Sequence, residues 1–509
     1  MAPQYYENEL QLIGLEKEKL QQVLVELRDA VKRATVIIKQ NEPEPRPDDS
    51  SAFGTMYSGV SGIALMFLRL EEQAGYIADK DDIQSLASEF HKGATSRINQ
   101  TASGTSHLRP GRLSPLGSAT LGASVLRVLA TIAGSSRKTV SSSEVGDLQG
   151  AAELALQQGT ILGGDEPLYG RVGLLWAILY IRQLCLDDEE NTVTLTPVFT
   201  MIPKIVTAII DTGKVGASEY QNLHGQQGCL PLMWPWHDKY YAGAIALAGI
   251  LSILLACKHD ELDDGTISHL PIIAQTISGL CKLSIENGGS LPSSLPAHSR
   301  HVPYVQICHG SPGLLILLAQ ARNNPQITRS FWEPDWDKAI RLGSEQVWKH
   351  GLLAKGGGLC HGIAGNAWPF LMLHDSFEYG NESMVQAKLA YKDRTKVVPP
   401  EEEELTPDYF LSRALTFLLF AQKTPPFHRR GSQEELQFRM PDSPYSLFEG
   451  LAGTTSAWAE ACVVIQARLR KEELDGKGSG DVSEKRDELL CKHLRHELGF
   501  PGLTLGGLH

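Results

Sequence analysis

A repeated tripeptide carries the residues of this chain that are best suited to chemistry. Cys-His-Gly begins at Cys308 and again at Cys360, 52 residues later. Thiolate and imidazole ligands with no carboxylate favour zinc. An isolated cysteine–histidine pair is more often core packing, but its repetition in one sequence frame favours a metal site. If the two loops are equivalent, both cysteines and one histidine bind the ion. The spacing does not decide between His309 and His361.

Three protein ligands would leave the fourth zinc position open for water or for a substrate thiol. A free thiol with a pKa of about 8.5 is mostly protonated at neutral pH, and coordination to zinc deprotonates it. The resulting thiolate can attack an electrophilic alkene, such as the side chain of dehydroalanine or dehydrobutyrine. The addition leaves an enolate, so a proton donor is also needed.

Each Cys-His-Gly tripeptide belongs to a longer phrase: a glycine, two residues, a second glycine and then an apolar run. Seven copies occur, and two of them are imperfect, since one has alanine in the first place and another has differently spaced glycines. The first positions are Gly59, Gly117, Gly170, Ala246, Gly310, Gly362 and Gly450. Glycines at such turns permit close approach of the backbone, and the following N–H groups point to a shared centre.

More polar segments with helical periodicity separate the copies. Examples are Leu10 to Gln40, Asp82 to Ile98, Asp337 to Lys349 and Pro407 to Gln422. Each unit is therefore predicted to be an outer amphipathic helix, a loop and an inner apolar helix. Signals for β-structure are sparse, which indicates an all-α repeat protein.

Composition limits the partners of this chain of 509 residues. The net charge of -12 argues against a nucleic-acid partner, which needs a clustered basic face. Eight dispersed cysteines and no signal peptide at Met1 indicate a reducing, cytosolic location, with membrane association peripheral at most. The uncharged run Tyr240 to Cys257 is near the lower length limit of a membrane span, but Gly243 and Gly249 interrupt it. We interpret it as a buried core helix.

Five phrases, LYGRVG, LMWPWHDKYYAGA, QICHGSPG, KGGGLCHGIAGNAW and SLFEGLAGT, are similar to signatures of the lanthionine synthetase C-like family. The repeats that contain them cover most of the chain, and charged insertions are typical of a fungal or other eukaryotic member. The resemblance implies an α/α toroid of seven inner and seven outer helices in a single domain, 1–509. Surface loops are expected near 42–51, 135–144, 395–406 and 475–487.

The resemblance also implies the site. Its zinc ligands are Cys308, Cys360 and His361, and the thiol of eukaryotic members is glutathione, added to dehydroamino-acid residues of a peptide or protein. Lys355 matches a lysine that lies near glutathione. His309 then has no ligand role.

Catalytic roles are implied for Glu166 and Arg171, which match an acidic residue and an arginine of the second signature. For Arg171 the alternative is a buried structural ion pair.

One departure concerns proton transfer. Where the family has a histidine taken to be the acid/base, this chain is one residue shorter and places Ile245 before Ala246. Neither can transfer a proton, and such a loss commonly costs about 10²–10⁴-fold in rate. His237 is a weak substitute. The alternative to an enzyme is therefore a zinc- and glutathione-binding protein with weak turnover. A carbohydrate-active toroid is a remote third reading that rests on fold analogy.

Overall fold

The computed structural model describes residues 3–46, 48–109, 111–133, 138–157, 164–236, 239–297, 303–400, 405–428, 436–475 and 487–506. Its helices are α1 Lys17–Asn41, α2 Val60–Glu72, α3 Ala74–Ile77, α4 Ile83–Thr95, α5 Ala119–Ile132, α6 Ser142–Leu156, α7 Arg171–Leu184, α8 Glu189–Phe199, α9 Ile202–His224, α10 Leu247–Leu254, α11 His259–Leu262, α12 Leu270–Glu286, α13 Ser311–Asn323, α14 Pro325–Phe331, α15 Pro334–His350, α16 Ile363–Glu378, α17 Asn381–Thr395, α18 Pro407–Ala421, α19 Leu451–Asp475 and α20 Glu488–Arg495. The strands are β1 Tyr5–Tyr6, β2 Tyr240–Tyr241, β3 Ser294–Leu295 and β4 Leu352–Leu353.

The inner helices α2, α5, α7, α10, α13, α16 and α19 begin where the glycine phrases predict. In five of them the first residue of the phrase is the residue just before the helix, as Gly362 is before α16. Helix α19 likewise follows Gly450. In the differently spaced copy the cap is Ser118, whose side chain accepts a hydrogen bond from the Leu121 N–H.

The second glycine of each phrase lies against a backbone carbonyl from the preceding turn. A Cβ on Gly365 would lie 1.8 Å from the Leu359 oxygen, and one on Gly453 would lie 2.0 Å from the Leu447 oxygen. Both carbonyls are six residues upstream. No larger residue fits without moving the backbone, which explains why glycine recurs there.

The inner helices form a closed ring, because each contacts the next along the chain and α19 contacts α2. An outer helix packs against each inner helix. The pairs, outer helix first, are α4 on α2, α6 on α5, α9 on α7, α12 on α10, α15 on α13, α18 on α16 and α1 on α19. The fold is therefore the predicted α/α toroid with seven helices in each ring.

Helix α10 confirms the interpretation of the uncharged run, since every residue from Leu247 to Leu254 is buried. Within the described part of the chain, the helical stretch Glu189–His224 is long and apolar enough to cross a membrane, by length and composition only. Buried core helices meet the same criterion. Helix α9 in this stretch buries one face, which includes Ile205 and Ile209, and packs on α7.

Some predicted boundaries differ from the structure. Helix α1 begins at Lys17, seven residues later than Leu10. The loop expected at 135–144 ends at Ser141, because Ser141 and Glu144 form a reciprocal capping box that starts α6. Residues 135–137 of this loop, and residues 47, 401–404 and 476–486 of the other expected loops, lie outside the described residues.

Candidate metal centre

Backbone hydrogen bonds join the turns that precede the inner helices. The Cys308 N–H donates to the Cys360 carbonyl at 3.4 Å, and the Cys360 N–H donates to the Phe448 carbonyl at 2.8 Å. The Phe448 N–H donates to the Tyr57 carbonyl at 3.3 Å, and the Tyr57 N–H donates to the Leu116 carbonyl at 3.1 Å. This ring of turns links the last repeat to the first and places the two Cys-His-Gly loops side by side.

Three soft ligand atoms meet at this end of the toroid. The sulfurs of Cys308 and Cys360 and one ring nitrogen of His361 all lie within 4.8 Å of one another. Cys360 is buried, and the other two are half-buried. His309 is not part of the group: its ring centroid lies 5.1 Å from that of Tyr241. The structure thus brings together the three residues that the family resemblance implied.

Hydrogen bonds polarise the two thiols in opposite directions. The hydrogen bond from Cys308, helped by His361 and Tyr57, holds the pKa of Cys360 well below its usual range despite burial. The same bond to Cys360, together with burial, raises the pKa of Cys308. Burial raises the pKa of Tyr57, so its hydroxyl remains a donor. The two thiols are therefore joined by a hydrogen bond.

The donor set fits a zinc ion. Ligands at about 2.3 Å for sulfur and about 2.0 Å for nitrogen around a tetrahedral ion lie roughly 3.5 to 3.8 Å apart. The 4.8 Å limit on the separations of these three atoms accommodates that arrangement. Two sulfurs and one imidazole, with no carboxylate, are the ligands that zinc prefers over magnesium or calcium.

A cavity of about 460 Å³ opens beside His361. Lys239, Lys355 and Arg439 line it together with the aromatic ring of Tyr241, so three cations face one space. Sequence reasoning found Lys355 but missed Lys239 and Arg439, which lie far apart in the chain and in no repeated phrase. A mainly cationic cavity favours an anionic ligand.

The N-terminal residues also wall this cavity. Strand β1 pairs antiparallel with β4, with Tyr5 opposite Leu353, and the Ala354 N–H donates to the Gln4 carbonyl at 3.1 Å. Pro3 and Gln4 line the cavity as a result. No sequence signal predicted this contact between the two distant segments.

The segment that lacks the family histidine lies at the metal centre. The Ala244 N–H donates to the Ile307 carbonyl at 3.2 Å, and the Ile245 N–H donates to the Cys308 carbonyl at 3.4 Å. Ile245 is half-buried, whereas Ala246 is fully buried. The backbone of this segment is therefore bonded to the Cys308 loop, and neither Ile245 nor Ala246 has a side chain that can donate a proton. His237, the suggested substitute, lies outside the described residues.

Glu166 and Arg171, the two residues implied to be catalytic, shape the turn before α7. The Glu166 carboxylate accepts hydrogen bonds from the Leu168 and Tyr169 N–H groups, both at 2.6 Å. Burial nevertheless raises the pKa of Glu166 to about 8. The Arg171 guanidinium pairs with buried Asp165 at 2.6 Å. These contacts match the structural alternative that was considered for Arg171.

Comparisons with known proteins identify the family of this chain. Residues 51–460 match the family profile of the lanthionine synthetase C-like protein. The chain is 30% identical over 307 residues to the glutathione S-transferase LANCL1 of Danio rerio, which covers 60% of this chain and 61% of that protein. It is 31% identical over 276 residues to the LanC-like protein GCL1 of Arabidopsis thaliana, and this match covers 53% of this chain and 57% of that protein.

The matched region spans about three fifths of the length of these curated relatives. Among solved structures, the chain is similar to nisin cyclase, with a TM-score of 0.42 and 16% identity over 77% of this chain and 98% of that one. The match to the family profile extends over most of the chain and includes both Cys-His-Gly loops. The chain belongs to the lanthionine synthetase C-like family.

Proposed function

We propose that this protein binds zinc and activates glutathione for addition to dehydroalanine or dehydrobutyrine residues of a peptide or protein. The observation that carries the proposal is the convergence of two sulfurs and one imidazole within 4.8 Å, at the edge of a cationic cavity. The similarity to a glutathione S-transferase supports the choice of thiol.

Cys308, Cys360 and His361 would hold the metal. When bound, zinc would supply the positive charge that keeps a substrate thiol deprotonated at neutral pH. Lys355 and Arg439 line the adjacent cavity, where they can bind the two carboxylates of glutathione. In the overall addition, the sulfur forms a bond to the β-carbon of the alkene, and a proton is delivered to the α-carbon.

The proton step distinguishes this proposal from a second function. Ile245 cannot donate a proton, yet it lies against the Cys308 loop. A protein that binds zinc and glutathione but turns over slowly is therefore the second candidate. In both cases thiol binding is retained, and only the rate of product formation differs.

Glutathione addition to a dehydroalanine-containing peptide, followed by mass spectrometry, tests the proposal. We expect adduct formation above the uncatalysed rate for the unaltered protein and none above it for Cys360→Ala. Cys462→Ala is the matched control, because Cys462 is buried in α19 outside the metal group. Adduct formation by Cys360→Ala at the rate of the control would refute the proposed role of the metal centre.

A cytosolic location is part of the proposal, since glutathione is abundant there. All eight cysteines are free thiols, which agrees with a reducing compartment. Cell fractionation with an antibody to the protein tests this, and recovery in a secreted fraction would contradict it.

A further inference from the structure

A second cavity lies at the end of the toroid opposite the ring of turns. The inner helices all start at that ring, so Asp375, 12 residues after Ile363 in α16, lies about 18 Å along its helix. The cavity has a volume of about 700 Å³. Parts of α7, α13, α16 and α19 line it together with the C-terminal segment 497–506.

The inner part of this cavity has two carboxyl groups without a cation. Asp375 is 6% exposed and Glu497 is 5% exposed, and both line the cavity. Their side chains are within hydrogen-bond range of each other, but Asp375 Oδ1 and Glu497 Oε1 have no donor. Among the described residues, no ion pair joins either carboxyl group to a cation. The pair needs a proton or a bound donor.

The neighbouring charges are engaged elsewhere. The guanidinium of Arg69 donates to the Leu498 and Gly499 carbonyls. Glu460 accepts hydrogen bonds from the N–H groups of the same two residues. Arg468 pairs with Glu378 at 3.2 Å, three residues after Asp375 in α16. These interactions leave the donor for Asp375 and Glu497 unassigned.

The rest of the cavity indicates the kind of donor. Leu371, Met372 and Val464 provide apolar walls, whereas Lys258 and Arg329 are exposed and so form a basic rim. A metal ion is disfavoured, because hard cations need several oxygen ligands close together. Among the described residues, only Cys308, Cys360 and His361 form a group of three ligand residues whose atoms lie within 4.8 Å of one another. An ammonium group can donate to carboxyl oxygens without drawing three of them together.

We propose that this cavity binds a short zwitterion whose ammonium group reaches Asp375 and Glu497 and whose carboxylate reaches the basic rim. An ω-amino acid and a di- or tripeptide share this chemistry, with an apolar or amide portion between the two charges. Burial raises the pKa of both carboxyl groups because it disfavours an uncompensated negative charge, and a cationic donor would compensate that charge. The proposal is independent of the metal centre.

Isothermal titration calorimetry with matched probes tests this. We expect 6-aminohexanoate to bind at least tenfold more tightly than hexylamine, and hexanoate not to bind. Trialanine serves as the peptide arm: tighter binding of trialanine than of 6-aminohexanoate assigns a peptide ligand, and the reverse assigns an ω-amino acid. Equal binding of hexanoate and 6-aminohexanoate, or no saturable binding of either zwitterion, would overturn the proposal.

Variants test the ammonium-binding end and the carboxylate-binding end of the cavity separately. Asp375→Asn should weaken binding of hexylamine and 6-aminohexanoate at least tenfold, while Asp211→Asn on the exposed face of α9 should change neither. Lys258 lies on the exposed rim, so Lys258→Gln does not disturb the core. Because Arg329 remains, it should weaken binding of 6-aminohexanoate without abolishing it, and it should leave hexylamine unchanged. Unchanged affinities in both Asp375→Asn and Lys258→Gln would refute the site.

Discussion

Thiol activation and proton delivery depend on different residues at the metal centre. The group that would activate a thiol, Cys308, Cys360 and His361, is complete. The adjoining segment presents Ile245 beside Cys308, where the resemblance implies a histidine. The protein should therefore bind its thiol normally and release product slowly, because the enolate must take its proton from water or from a poorly placed side chain.

Insertion of a histidine between Ile245 and Ala246 should raise the rate of adduct formation roughly 100-fold or more, with unchanged zinc content. The structure supports the insertion. A Cβ on Gly249 would lie 2.0 Å from the Ala244 carbonyl, five residues upstream, and the insertion restores the separation of six seen at Gly365. The measurement is the initial rate of glutathione addition to a dehydroalanine peptide.

Insertion of alanine at the same place is the matched control, since it restores the backbone spacing without a proton donor. We expect its rate to equal that of the parent protein. If the histidine and alanine insertions are equally fast, the missing histidine does not limit the reaction.

Substitution of Arg171 distinguishes a structural role of this residue from a catalytic one. Arg171→Met leaves Asp165 buried without its partner and should destabilise the fold by about 3 kcal/mol or more. Adding Asp165→Leu should recover much of that loss. Urea unfolding measures the stability of both variants. A normally stable Arg171→Met protein that has lost adduct formation would instead assign Arg171 to catalysis.

The site could be predicted only in part from single residues. Spacing alone left His309 and His361 open; the family resemblance selected His361, and the structure packs His309 against Tyr241 instead. Lys239 lies in one of the five family phrases, but no spacing marked it as a cavity residue, and Arg439 lies in none of them; the ring brings both to the cavity.

At the scale of helices, the second glycine of each phrase sets how closely an inner helix approaches its preceding turn. In α16 the second glycine, Gly365, contacts the Leu359 carbonyl in the preceding turn. Leu359 directly precedes the metal ligand Cys360, so a shift of this carbonyl would also shift the ligand. The repeated phrase predicted these helix starts well. The start of α1 was predicted less well, since residues 10–16 have helical periodicity but lie outside the helix.

Gly365→Ala should destabilise the protein by roughly 3 kcal/mol and lower its zinc content, because the new Cβ would force the Leu359 carbonyl away. Gly146→Ala is the matched control: Gly146 lies inside α6, and no atom lies within 4 Å of its added Cβ. The control should be neutral or slightly more stable. Chemical denaturation with zinc analysis checks both variants, and equal behaviour would contradict the close-approach explanation.

His374 of α16, which contacts the first residue of α18, should make the folding stability of the protein sensitive to acid. His374 Nδ1 lies 3.0 Å from the Pro407 carbonyl, and burial lowers the pKa of His374 from 6.5 to about 4. The unfolded chain therefore takes up a proton as pH falls through 6.5, while the folded state does not. This contribution to stability is complete above pH 6.5 and is lost as pH falls toward 4.

His374→Asn keeps a donor for Pro407 but cannot titrate in this range. Between pH 7 and pH 4, the unaltered protein should lose about 3 kcal/mol more stability than this variant. Urea denaturation of the zinc-free proteins at the two pH values measures the difference. Equal losses would show that His374 does not titrate in this way.

At the scale of the whole molecule, ring closure creates the metal centre. The seven-fold repeat and the family resemblance predicted the toroid, because each apolar run can bury its surface only against neighbouring runs. The sequence did not show how the N-terminal region takes part. Helix α1 packs on α19, the last inner helix, and β1 pairs with β4 beside the cavity. The single domain of residues 1–509 stays a prediction.

Zinc analysis of the purified protein tests the account most directly, because the metal centre exists only if the ring brings Cys308, Cys360 and His361 together. We predict about one zinc per chain in the unaltered protein and in Cys462→Ala, and loss of most of the zinc in Cys360→Ala. Full zinc occupancy in Cys360→Ala would contradict the assignment of the metal centre and the function built on it.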